Sequence, residues 1–201
     1  MNVPSYITNF IADPDTAFAR LSSELDWERR DDAPRSEYYC NDTPEPYTYG
    51  KGRGRRTYEV RPGHETILAI RHMLEAECKC SLDTCFLNRY LNQRDHLGWH
   101  ADDSPEMDDA RPIVSVSLGV EREIWIRPQQ ALSSIPPARA DGAIQKFKLG
   151  HGSAFIMPPG FQDLFMHSIP KASFTCGERI SLTFRGYLRG AWPDKMKASG
   201  P

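Results

Sequence analysis

From Asp83 onward the chain breaks into short segments in which apolar and polar residues alternate, separated by Gly, Pro and Asp. Val114-Ser-Val-Ser117 and Glu123-Ile-Trp-Ile126 are the clearest cases. Successive side chains of a strand point to opposite faces, so alternation of period two marks a half-buried strand. The spacing predicts strands at 85–91, 97–101, 113–118, 122–127, 145–149, 153–157, 164–169 and 180–188. Such strands bury their apolar faces only by stacking sheet on sheet. The expected class is α+β, mainly β, with a sandwich or jelly roll at its centre.

Two helices precede this region. Asp13-Pro14-Asp15 reads as a helix start, with Asp as N-cap and Pro at the first position. Phe18, Leu21 and Leu25 follow at helical spacing over 14–26. Ile67, Ile70, Leu74 and Cys78 recur at i, i+3, i+7 and i+11, which predicts a second helix over 64–77. His64 and His72 read there as surface or half-buried histidines, not ligands. Residues 34–63 differ. Their Pro and Gly punctuation argues against a long helix, with a short strand at Tyr47-Thr-Tyr49. Tyr38, Tyr39, Tyr47 and Tyr49 precede Lys51, Arg53, Arg55 and Arg56. Two readings fit: a lid that stacks a flat base and holds phosphate, or a solvated hairpin whose tyrosines pad the core. Residues 128–143 read as an inserted surface loop, and 191–201 as a frayed tail.

The 201 residues show no linker and no internal repeat, so 1–201 is read as one domain. The net charge of −2 gives no global basic field. No apolar stretch approaches a bilayer span, and the N-terminus lacks the pattern of a secretory signal. Five cysteines at irregular spacing do not resemble a disulfide framework. A reducing compartment is expected, cytoplasmic or, in a eukaryote, nuclear, with the chain a monomer and no membrane partner. Cys78-Lys-Cys80 reads as ordinary thiols at a helix end, because no second pair matches it for zinc.

The chemistry centres on His100-Ala-Asp102. On an extended strand, positions i and i+2 share a face, so both side chains reach one metal ion. His167, in Phe-Met-His-Ser-Ile-Pro, supplies a further imidazole; His151, in a Gly-rich turn, reads as structural. Two imidazoles and one carboxylate form a facial triad with open positions, the arrangement of non-haem Fe(II) oxygenases. Arg179-Ile-Ser-Leu-Thr-Phe-Arg185 puts 179, 181, 183 and 185 on one face. Two inward guanidiniums require anions, and a dicarboxylate co-substrate supplies them. The alternative is a solvated face of an edge strand.

Taken together, Asn88-Arg-Tyr90, Leu97-Gly-Trp-His100-Ala-Asp102-Asp103, Ile113 to Glu123, His167-Ser-Ile-Pro170 and Arg179 to Arg185 resemble the AlkB family. These are Fe(II)- and 2-oxoglutarate-dependent dioxygenases that oxidatively dealkylate nucleobases. The resemblance covers 85–188, and 34–63 looks like that family's nucleotide-recognition lid. It implies a double-stranded β-helix (jelly roll) with N-terminal supporting helices. It implies His100, Asp102 and His167 as iron ligands and Arg179 on the distal carboxylate of 2-oxoglutarate. Asn88 and Tyr90 would bond the same co-substrate, Arg185 would lie near its chelating end, and Ser115 would line the pocket. Ser181 stands where the family often has Asn. Tyr47 would stack on the base, with Tyr49 close by, and Arg53, Arg55 and Arg56 would meet phosphates. Many relatives carry an acid where this chain has Ser104; a carboxylate there favours a cationic alkylated base, a part left here to Asp103 or Glu106.

The implied activity is demethylation of N-alkylated bases in DNA or RNA, as in DNA repair, consuming O₂ and releasing succinate, CO₂ and formaldehyde. Two other readings stand beside it: a 2-oxoglutarate-dependent hydroxylase or demethylase of a protein or small molecule, and a non-catalytic jelly-roll binding module. Intact ligands and arginines speak against the last.

Overall fold

The computed structural model describes residues 3–30, 33–49, 55–129 and 144–188. Arg53, nearly all of the expected loop at 128–143 and the tail at 191–201 lie outside the described residues. The elements run β1 (Ser5–Ile7), α1 (Pro14–Glu24), β2 (Ser36–Asn41), β3 (Tyr47–Tyr49), β4 (Arg56–Tyr58), α2 (Glu65–Cys78), β5 (Thr84–Tyr90) and β6 (Leu97–His100). There follow β7 (Ile113–Gly119), β8 (Arg122–Pro128), β9 (Gln145–Leu149), β10 (Ser153–Met157), α3 (Phe161–Leu164), β11 (Phe165–Ile169) and β12 (Arg179–Arg185). Every strand expected after Asp83 is present.

A six-stranded sheet in the order β1-β10-β7-β12-β5-β2 faces a four-stranded sheet, β6-β11-β8-β9, and β3-β4 form a separate hairpin. All pairings are antiparallel. This is the jelly roll. Period-two alternation in the large sheet sorts its side chains between two environments. Ile180, Leu182 and Phe184, with Val114, Val116, Leu118 and Leu87, pack against Leu21, Ile67, Ile70 and Leu74 of the helices. Leu74, Leu182 and Phe184 are fully buried, each worth roughly 1.5–3 kcal/mol. Between the sheets lies a second core of Tyr90, Ile124, Ile126, Phe155, Phe161 and Ile169.

Local chemistry sets the helix ends. The Thr16 N–H donates to the Asp13 side chain at 3.1 Å, capping α1, and Pro14 follows it. The His64 ring accepts from the Thr66 N–H and so caps α2. That is a structural use, in keeping with its reading as no ligand. His151 likewise accepts from the Gly119 N–H at 2.8 Å. Gly119 has φ +89°, and a Cβ there would collide with the Glu178 carbonyl and the Phe18 ring. Only glycine lets β7 turn so close beneath α1.

Candidate active site

The residues facing away from the helices on β5, β7 and β12 are largely polar. Arg179 pairs with Tyr90 across the ladder, Ser181 with Asn88 and Ser117, and Thr183 with Ser115. Ser115 and Ser181 hydroxyls meet at 3.0 Å. None of these groups is on a solvated edge: β12 lies between β7 and β5, and both its arginines are buried.

On the facing sheet, His100 ends β6 and His167 sits directly opposite on β11. Asp102 lies two residues past the end of β6. One ligand atom from each lies within 4.8 Å of the others, the sole such group among the described residues. Asp102 Oδ1 is 3.7 Å from His100 Nε2, and Oδ2 is 3.8 Å from His167 Nε2. His100 Nδ1 donates to the Gly98 carbonyl at 2.9 Å, which leaves Nε2 bare to act as ligand.

The protonation states suit a divalent cation, which takes neutral imidazole and ionised carboxylate. Burial holds His100 below its usual pKa. Burial, aided by His100, brings His167 down to about 3. Burial acts oppositely on Asp102, but Arg185 and the two imidazoles outweigh it and bring the carboxyl to about 2. A consequence follows for the metal-free protein. His167 takes up a proton near pH 6.5 when unfolded and near 3 when folded. Between those values the unfolded chain binds the extra proton. The stability present above pH 6.5 is therefore lost as pH falls, by up to about 1.4 kcal/mol per unit. Urea midpoints at pH 7.5 and 5.0 should show this drop, and His167→Asn should lessen it.

Asp102 is clamped at both ends. Arg185 Nη2 donates to Oδ1 at 2.6 Å. The Asp102 backbone N–H donates to Oε1 of Gln162 at 2.9 Å, a buried side chain on α3. Groups that orient metal ligands typically matter ten- to a hundredfold in affinity. Gln162→Leu should weaken Co(II) binding by about tenfold, read by titration of the metal-free protein. An unchanged Kd would reduce Gln162 to packing.

Arg179 has 0% of its surface exposed. Its Nη2 donates to Ser117 Oγ at 2.8 Å, while Nε and Nη1 are buried without partners. Burial lowers its pKa to about 10, so it stays charged at neutral pH, with Tyr90 the main opposing influence. Two guanidiniums approach the Tyr90 ring, Arg179 at 5.3 Å and Arg122 at 5.7 Å from its centroid. A buried cation with two idle donors fits a carboxylate, as a dicarboxylate co-substrate would present.

The hairpin divides its tyrosines between both readings of the sequence. Tyr47, expected on the base, is 2% exposed and packs among Tyr39, Tyr58 and Phe86. Its hydroxyl and that of buried Ser104 are 3.0 Å apart. Tyr49 instead stands edge-on to His100, ring centroids 6.2 Å apart. Arg55 and Asp103 are exposed, and Arg56 lies 3.9 Å from Glu37. The pocket beside the ligands is lined by Tyr47, Tyr49, Asn88, His100, Asp102 and Arg185, and by three residues assigned no role from sequence, Arg35, Phe86 and Leu97. Gln162 and Ser117 were missed as well. Ser117 was legible from its period-two relation to Ser115, whereas nothing in the sequence around Gln162 pointed to Asp102.

A jelly roll whose His-Asp-His triad combines a half-buried His100 with buried Asp102 and His167 fits a metal-dependent oxygenase, and the comparisons agree. The family described as the 2OG-Fe(II) oxygenase superfamily matches residues 15–185, and the chain belongs to it. That family implies Fe(II) and 2-oxoglutarate as cofactors. Alpha-ketoglutarate-dependent dioxygenase alkB homolog 3 of Bos taurus is 29% identical over 87% of this chain and 62% of its own length. DNA oxidative demethylase ALKBH2 of Homo sapiens is 28% identical over 77% of this chain and 57% of its own. Within the superfamily, the chain is a member of the AlkB family. It spans roughly half to three fifths of the length of the curated relatives it matches. The solved structure of OsALKBH1 shares the fold, with TM-score 0.59 and 20% identity over 90% of this chain and 97% of that one. No helix among the described residues is long and apolar enough to cross a membrane.

Proposed function

We propose that this chain is an Fe(II)- and 2-oxoglutarate-dependent dioxygenase that removes alkyl groups from the ring nitrogens of nucleobases in DNA or RNA. The observation that carries the reading is the triad of His100, Asp102 and His167 beside the idle donors of buried Arg179. When bound, Fe(II) supplies the oxidation in which 2-oxoglutarate and O₂ become succinate and CO₂ while an N-methyl carbon leaves as formaldehyde.

The chain's own residues bind, orient and exclude. His100, Asp102 and His167 hold the ion. Arg179 takes the far carboxylate of the co-substrate with Nε and Nη1, and Asn88 and Tyr90 border it. Arg185 keeps Asp102 ionised. Tyr49, the partly exposed ring over His100, offers a face to a base turned out of its stack. Tyr47 backs that wall directly, its ring centroid 6.1 Å from that of Tyr49. Arg55 and Arg56, at the hairpin, are placed to meet phosphates. The names of relatives, a DNA oxidative demethylase among them, support nucleic acid as the substrate.

Protein loaded with Fe(II) and given 2-oxoglutarate should release formaldehyde and succinate from methylated single-stranded DNA or RNA oligonucleotides. Succinate with no loss of methyl from any oligonucleotide would move the substrate to a protein or small molecule.

A further inference from the structure

We propose that Arg122 is a positioning residue for the co-substrate and acts through Tyr90: it braces the Tyr90 ring and strengthens its hydroxyl as a donor to the far carboxylate that Arg179 takes. The proposal rests on the placement of 2-oxoglutarate at Arg179 given above.

The pattern of β8 sets Arg122 apart. Arg122, Ile124 and Ile126 are buried, and Glu123, Trp125 and Arg127 are not. Alternate positions of a strand share a face, so an arginine heads the inward, apolar row. Ile124 and Ile126 join Tyr90 in the core between the sheets, and Arg122 is 3% exposed. Burying a guanidinium is costly unless its donors and its charge find partners. Its donors find main chain. Nη2 donates to the Asp95 carbonyl at 3.0 Å and to the Pro170 carbonyl, and Nη1 to the Asn92 carbonyl at 3.4 Å. The one acid among those three residues, Asp95, commits its carboxylate elsewhere. It accepts from both Nη atoms of Arg29 at 2.8 Å and from the Leu91 N–H at 2.9 Å.

What the charge of Arg122 meets is the Tyr90 ring, which is 1% exposed. Arg179 reaches that ring from the neighbouring strand of the same sheet, and Arg122 from the facing sheet. A desolvated cation is attracted to an aromatic ring. It also polarises the phenol, which makes the O–H a stronger donor. Burial pushes the Tyr90 hydroxyl away from ionisation, while Arg179, Arg35 and Arg122 pull it the other way. Buried like charges are unfavourable until an anion arrives. The far carboxylate would answer both, Arg179 by contact and Arg122 by way of the hydroxyl. The carbonyl bonds add a brace, since they tie the turn that follows Tyr90 to β8. Asn88 is held in a parallel way: Arg35 Nε donates to its Oδ1 while Arg35 Nη2 is held by Glu37.

The test is a double-mutant cycle, read as the Kd for 2-oxoglutarate by calorimetry on anaerobic protein loaded with Mn(II). Arg122→Met and Arg122→Gln should weaken binding by about tenfold, the size of a desolvated cation–aromatic contact. Arg122→Lys, which keeps the charge, should recover most of the loss. Tyr90→Phe should itself cost about tenfold or more. In that background Arg122→Met should cost less than about twofold further, because the two residues act as one unit. Gln and Lys both keep a donor for the carbonyls, so these two variants carry the comparison should Arg122→Met fail to fold. Equal Kd values for Arg122→Gln and Arg122→Lys overturn the proposal. Equal losses from Arg122→Met with and without the Tyr90 hydroxyl would make Arg122 a latch of the turns alone, and overturn it too. Arg179→Met separates this proposal from the reading beneath it. If that variant binds 2-oxoglutarate as wild type does, the placement at Arg179 fails and the proposal with it. If it loses binding while the Arg122 variants keep the wild-type Kd, the proposal alone fails.

Discussion

Asp102→Ala is expected to abolish iron-dependent turnover and also to destabilise the metal-free protein, two losses with different causes. The first is loss of the one anionic ligand of the triad. The second concerns Arg185. Its guanidinium is buried, its Nε has no partner among the described residues, and its one anion among them is Asp102 at 2.6 Å. Removing one partner of a buried ion pair leaves the other charge uncompensated, at a cost of about 3–5 kcal/mol. His100→Ala separates the two effects. It removes a ligand of the same ion but leaves Asp102 paired with Arg185. Co(II) titration should show both variants unable to hold metal with wild-type affinity. Urea denaturation of the metal-free proteins should show the much larger loss in Asp102→Ala. Equal losses would mean that Arg185 finds another partner.

Arg179→Met should have the contrary signature, with function lost and folded stability kept or gained. Arg179 is wholly buried with two idle nitrogens, and burial already works against its charge. A flexible apolar side chain of similar length removes that unpaired charge from the core. The co-substrate would meanwhile lose a bidentate, charge-assisted contact. The KM for 2-oxoglutarate should rise by about a hundredfold or more, as for hydrogen bonds to charged groups made in pairs. Thermal melts supply the second readout. 2-Oxoglutarate should raise the Tm of the wild type loaded with Mn(II), because it binds the folded state only. That rise should vanish in Arg179→Met, although the variant melts no lower than wild type without ligand. A retained rise would place the co-substrate elsewhere.

The strands after Asp83 were legible because each buries one face, and alternation records that in the sequence. β2 was not, since its Tyr38, Tyr39 and Cys40 are buried on both sides and show no alternation. β1 and β4 have three residues each and, unlike Tyr47-Thr-Tyr49 of β3, show no apolar–polar–apolar repeat. The ligands were legible because their spacing and residue types are constrained by the ion itself. Arg179 and Arg185 were legible because paired cations on a strand need an explanation. What binds them could be argued only from their chemistry. The hairpin was harder. Its tyrosines look alike in sequence, and only packing distinguishes Tyr47, enclosed by other rings, from Tyr49, which faces His100. Gln162 and Arg35 act across long stretches of chain, through contacts that leave no local pattern.

The place of β12 in the large sheet has a consequence for how the chain folds. It follows every other strand described, yet it sits at the sheet's centre, hydrogen-bonded to β5 on one side and β7 on the other. Until residues 179–185 arrive, β5 and β7 have no common neighbour, and each presents an unpaired edge. The two sides of the sheet can then be joined only by a late, long-range insertion. Such non-local pairing makes folding slow. It also leaves the emerging chain open to strand exchange with other copies while it waits. Arg179 and Arg185 ride on that same strand, so the co-substrate anchor and the partner of Asp102 are assembled in one final step.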